Sequence, residues 1–106
     1  MDNNLTNQKL KLENEIEYAP GSIVSKIIYK NSNSILTLFA LDKDQSIAEH
    51  VTPFDALVQV LEGEAELEIG GKKTKVCSGE SIIMPKDVPH ALYATEKYKM
   101  LLIMLK

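Results

Sequence analysis

Between residues 64 and 76, polar and apolar side chains change places at every step. Glu64, Glu66 and Glu68 alternate with Ala65, Leu67 and Ile69. Period two is the signature of a strand with one wet face and one dry face. Gly70-Gly71 follows, and supplies the two positive-φ positions of a type I′ turn. The run is therefore predicted to be a β-hairpin. With the glycines at its tip, Ile69 faces Lys72, Glu68 faces Lys73, Leu67 faces Thr74, Glu66 faces Lys75 and Ala65 faces Val76. Glutamate then meets lysine twice on the outer face, each pair worth about 0.2–1 kcal/mol. The acidic and lysine clusters explain each other as a solvated sheet face, with no metal or phosphate required.

Short β-type runs make up most of the remaining chain. Pro20-Gly21 signals a turn. Residues 22–30 alternate and are rich in β-branched side chains, and Asn31-Ser32-Asn33-Ser34 forms a turn cluster. Residues 35–41, Ile-Leu-Thr-Leu-Phe-Ala-Leu, are apolar on both faces, and Asp42-Lys43-Asp44-Gln45 closes them off. The run 100–105 has almost no polar residue. Regular short strands separated by turn signals predict an all-β sandwich or barrel. A strand that is apolar on both faces needs cover on both. The core provides one cover for 35–41 and 100–105, and a second subunit is expected to provide the other, making the protein a homodimer; the alternative is cover from within the chain by the N-terminal arm. Residues 1–17 are expected to be an N-terminal arm, and residues 18–106 the barrel domain.

The composition excludes several classes of function. The chain has 106 residues, enough for one domain with one core. Its net charge of −3 comes without any basic stripe, which argues against a nucleic-acid partner. The first fifteen residues lack the apolar stretch of a signal peptide. No apolar run approaches the roughly 18 residues that span a bilayer, so no membrane role is expected. The single Cys77 cannot form an internal disulfide, which fits a reducing compartment. A cytoplasmic protein is expected, with Cys77 a small residue at a strand end.

The candidate chemistry lies in two segments, each with one of the chain's two histidines. The first runs Glu49-His50-Val51-Thr52-Pro53-Phe54-Asp55-Ala56-Leu57-Val58-Gln59-Val60-Leu61-Glu62-Gly63-Glu64. The second runs Gly79-Glu80-Ser81-Ile82-Ile83-Met84-Pro85-Lys86-Asp87-Val88-Pro89-His90. Together they resemble the two motifs of the cupin family, over roughly residues 35–105. More specifically, the chain is similar to small single-domain cupins of the conserved-barrel type that carry an Ala-Pro-Phe-Asp-Ala or Thr-Pro-Phe-Asp-Ala stretch after the histidine. The resemblance implies an all-β fold, a double-stranded β-helix or jelly-roll barrel around a pocket. In metal-bearing cupins it implies three histidines and one carboxylate, a set that suits iron, manganese, nickel or zinc.

In this chain the metal motif is degenerate. His50 and His90 match, but Thr52 stands at the second histidine and Ala56 at the glutamate. Asp44 and Asp87 replace glycines, and Asp tolerates a left-handed backbone better than most residues. Asp55 and Glu49 could supply the missing carboxylate, but period two turns both away from the interior. Metal, if bound, is expected to bind weakly, as a divalent Zn, Fe, Mn or Ni ion on His50 and His90. The leading expectation is that the barrel binds a small molecule through those two histidines. Thr52, Val58, Met84 and Tyr93 are expected to line the same cavity, with Val60, Met100, Leu102 and Met104 also reaching inward. The methionines read as flexible core filler, and Phe54 as the anchor of its turn. The rival expectation is a metal-dependent enzyme of oxygenase, isomerase or decarboxylase type. An accessory protein acting through a dimer surface is a third.

Overall fold

The computed structural model describes residues 5–106, and places nine strands in two antiparallel sheets. The strands are β1 (Ile23–Lys30), β2 (Ser34–Leu41), β3 (Ser46–His50), β4 (Asp55–Glu62), β5 (Glu64–Ile69), β6 (Lys72–Cys77), β7 (Ser81–Met84), β8 (His90–Tyr93) and β9 (Tyr98–Leu105). One sheet has the order β1-β2-β9-β4-β7 and the other β3-β8-β5-β6. The two face each other as a double-stranded β-helix. The only helical element among the described residues is a 3-10 turn at Leu12–Asn14.

The hairpin forms in the expected register, with Glu66 opposite Lys75 and Glu68 opposite Lys73. The ion pair that closes is a diagonal one, Lys75 Nζ to Glu64 at 3.2 Å, on an exposed face where it contributes little. On the dry side, Ala65, Leu67 and Val76 are buried. They join Leu41, Val58, Val60, Leu92, Tyr98 and Met100 in the core between the sheets.

A second apolar cluster lies outside the five-stranded sheet, and it corrects the reading of the doubly apolar strands. Ile16, Leu38, Ala40 and Leu101 are buried there together, with Leu12, Tyr18, Leu36, Leu61 and Ile103 packed against them. Over this area the second cover is the chain's own N-terminal segment, not another subunit. Polar contacts fix the segment in place. The Tyr18 hydroxyl donates to Glu62 Oε2 at 2.7 Å, and the buried Lys99 amine donates to the Glu13 carbonyl. Lys97 and Lys99 both lie over the Tyr18 ring, at 4.8 and 5.0 Å from its centroid. Residues 1–4 of the expected arm lie outside the described residues.

One interior polar atom has no hydrogen-bond partner. The Tyr98 side chain is fully buried, and its hydroxyl meets no acceptor or donor among the described residues. A buried hydroxyl left unpaired costs about 1–3 kcal/mol relative to a satisfied one. Tyr98→Phe removes that polar atom and keeps the ring. It is expected to raise the unfolding free energy by about 1 kcal/mol, read as a higher urea midpoint at unchanged slope. A lower midpoint would mean that the hydroxyl is satisfied, for example by an enclosed water.

Candidate ligand pocket

The pocket opens at the end of the barrel where β3 leads into β4 and β7 leads into β8. Its volume is about 170 Å³. His50, Thr52, Ala56, Met84 and His90 surround the outer part by their positions at strand ends, and Phe39, Ile47, Leu92, Met100, Leu102 and Met104 complete the wall.

His50 faces the pocket because of a β-bulge. Ile47 pairs with Leu92, so an unbroken register would set Glu49 opposite His90. Instead His50 pairs with His90, with one extra residue between the two positions on β3. The insertion reverses the alternation, so His50 takes the inward direction that Glu49 would otherwise have had. Bulges re-aim side chains in this way beside functional sites. Glu49 is left exposed.

Two contacts tie the loops bearing the histidines together. The Asp87 N–H donates to the Thr52 carbonyl at 2.8 Å, and the Lys86 N–H donates to Asp55 Oδ1 at 2.9 Å. Asp55 is thus an exposed brace between the loops and supplies no carboxylate to the pocket. Asp87 can occupy its turn because its backbone is left-handed, φ 64°, as the glycine it replaces would be. Phe54 is half-buried outside the pocket, and its carbonyl accepts the Thr52 hydroxyl at 3.0 Å. It anchors the turn.

Inside, the two imidazoles meet edge to face, with ring centroids 4.2 Å apart. His50 Nδ1 lies 2.9 Å from the Ala48 carbonyl, and His90 Nδ1 lies 3.2 Å from the Val88 carbonyl. A carbonyl oxygen only accepts, so each Nδ1 carries the proton. In the neutral rings both Nε2 lone pairs are then free. His90 is 4% exposed, whereas His50 stands exposed at the mouth. Burial lowers the His90 pKa below the ordinary imidazole value. The Val88 hydrogen bond opposes that shift, and the neighbouring His50 adds to it. Near neutral pH His90 is an uncharged acceptor.

Two residues expected in the pocket lie elsewhere. Tyr93 is on the outer face of β8, with its hydroxyl donating to Asp44 Oδ1 at 3.0 Å. His90 and Leu92 face inward, so Tyr93 must face outward by the same alternation. Val58 does point inward, but it is fully buried in the core and does not line the cavity. The alternation gives direction and not depth. Phe39, Ile47 and Leu92 were missed. Phe39 and Leu92 are two residues from Leu41 and His90 and share their faces, a signal present in the sequence. The β3 bulge left no such signal.

The residues present do not fit the four-donor metal site that the family resemblance implies. The pocket has two imidazoles and no carboxylate, and no group of three or more His, Cys, Asp or Glu side chains exists among the described residues. Tightly held divalent metals in proteins usually have three or four protein ligands.

Barrel and pocket together define a small double-stranded β-helix domain with a cavity at one end. The family model for the cupin domain matches residues 37–105, and the chain belongs to the cupin family. A solved structure of a conserved protein of unknown function from Streptococcus pyogenes is 36% identical, covering 99% of this chain and 92% of that one, with a TM-score of 0.92. A cupin 2 conserved barrel domain protein from Leptotrichia buccalis is 41% identical over 89% of this chain, with a TM-score of 0.85, and this chain covers 46% of its length. A cupin superfamily protein from Desulfitobacterium hafniense shares the fold at 24% identity and a TM-score of 0.90. No curated protein matches the chain.

Proposed function

We propose that this cupin binds a small, mainly apolar molecule in the barrel, with His50 and His90 as its polar contacts. One observation carries the reading: both histidines of the chain meet in a single cavity walled otherwise by apolar side chains and Thr52. A concave, mostly apolar site with a few convergent polar groups is the usual form of a small-molecule site. The rival reading is a metal-dependent enzyme, and the pair of open Nε2 atoms favours it. The missing third ligand weighs against it. Native mass spectrometry with metal analysis of untagged protein separates the two. A metal-free chain carrying an organic molecule supports the binder, and one divalent metal per chain at full occupancy overturns it.

A homodimer belongs to the same proposal. Leu36, Ile103, Leu57 and Ile83 are successive register partners across β2, β9, β4 and β7. Ile83, at the β7 end of this row, is 64% exposed, so the apolar row continues beyond the N-terminal cover. Sedimentation should give twice the chain mass, and a monomer at micromolar concentration would remove this part. No helix of the described residues is long and apolar enough to cross a membrane. The free, exposed Cys77 suits the reducing cytoplasm proposed as the protein's location.

A further inference from the structure

We infer that the ligand class is a neutral, single-ring aromatic that donates a hydrogen bond, with phenol its simplest member. This rests on the pocket-binding reading above and narrows it by four observations.

The first is the direction of hydrogen bonding. With each Nδ1 proton held by a backbone carbonyl, Nε2 is the one ring nitrogen of each imidazole left open to a ligand, and in the neutral ring it carries a lone pair. The remaining side-chain polar group, Thr52, already donates its proton to the Phe54 carbonyl. The polar side chains of the pocket are therefore acceptors with no proton to give. A ketone, ether or ester gains nothing from them, while a hydroxyl donates to Nε2.

The second is charge. Among the described residues, no Asp, Glu, Lys or Arg side chain lines the cavity. A carboxylate ligand would lose its hydration without gaining a cation. A neutral molecule loses far less.

Size is the third. An apolar cavity of about 150 Å³ is enough for benzene. At about 170 Å³ this pocket has the volume for one substituted ring.

The fourth is the wall. Met84, Met100 and Met104 all line it, and they are every methionine of the chain apart from Met1. Thioethers adapt their shape and make favourable contacts with aromatic rings. Ala56 pairs with Met84 on one side and Met104 on the other, so its small side chain leaves both methionines room to move.

The test is a titration of the full-length protein, carrying 13C-methyl methionine, with phenol, toluene and benzoate at pH 7.5. Phenol should shift the methyl signals of the pocket methionines saturably, through its ring current. Its affinity should exceed that of toluene, which has nearly the same shape without the donor, and that of benzoate by about tenfold or more. His90→Leu should bring phenol down to the level of toluene. If that variant does not fold, His50→Leu, which removes the other acceptor at the exposed mouth, should lower phenol towards toluene in the same way. Toluene or benzoate binding as well as phenol would overturn the ligand class while leaving the pocket reading intact. Methyl signals unmoved by all three compounds would overturn both.

Discussion

Gly63→Ala is expected to lower the unfolding free energy by about 3 kcal/mol or more, the largest effect of any glycine-to-alanine change in this chain. Gly63 joins β4 to β5 with φ +76°, a region that costs a residue with a Cβ about 1–3 kcal/mol. The methyl would also lie 2.3 Å from the Lys97 carbonyl oxygen and 3.0 Å from the Tyr98 Cα. Both are backbone atoms, so no side chain can swing away, and β9 would have to shift. A domain of this size has only about 5–15 kcal/mol to lose. Gly71→Ala is the control. It sits at the hairpin tip with φ +83° and open space around its Cβ position, so only the backbone term of about 1 kcal/mol applies. Urea unfolding of the two variants should separate them clearly. Equal midpoints would mean that the β4–β5 junction yields without cost.

The second large effect is a gain. Thr52→His combined with Ala56→Glu is expected to tighten binding of a divalent ion such as Ni²⁺ or Zn²⁺ by at least about 100-fold, since changes in outer-shell partners alone move metal affinity by about 10–100-fold. Both positions line the cavity that holds His50 and His90. The variant would place three imidazoles and one carboxylate around it. Room for the glutamate comes from Met84 and Met104, the flexible register partners of Ala56. The cost is the Thr52 to Phe54 hydrogen bond that closes the turn. Titration with the metal, by calorimetry, reads the result. An affinity no better than that of the parent would show that these two positions do not converge on the histidines.

The parts of the fold that were legible from sequence are those governed by local rules. The Glu-Lys hairpin and its register followed from period two and a Gly-Gly tip. The left-handed turns at Asp44 and Asp87, φ 70° and 64°, followed from the glycines they replace. Cover for β2 and β9 was not legible in the same way. Leu12, Ile16 and Tyr18 are scattered in a polar stretch, and only long-range packing shows that they close over the sheet. In the pocket, Tyr93 was misplaced although the alternation from His90 already turned it outward. Val58 was given the right direction but sits deeper than the cavity. The β3 bulge that brings His50 inward is a register event between two distant strands, and no local pattern encodes it. That Met84, Met100 and Met104 reach inward was legible, but that β7 and β9 bring all three to one cavity wall depends on long-range packing.

All of the ligand chemistry depends on the protonation of the two imidazoles, and nitrogen NMR of the histidine side chains reads this directly. At pH 7.5 to 8, both His50 and His90 should show a protonated Nδ1 and an unprotonated Nε2. Carbonyls at 2.9 and 3.2 Å from the two Nδ1 atoms require that pattern. A proton on Nε2 of either ring would contradict the account, because the pocket would then present a donor and select a different ligand.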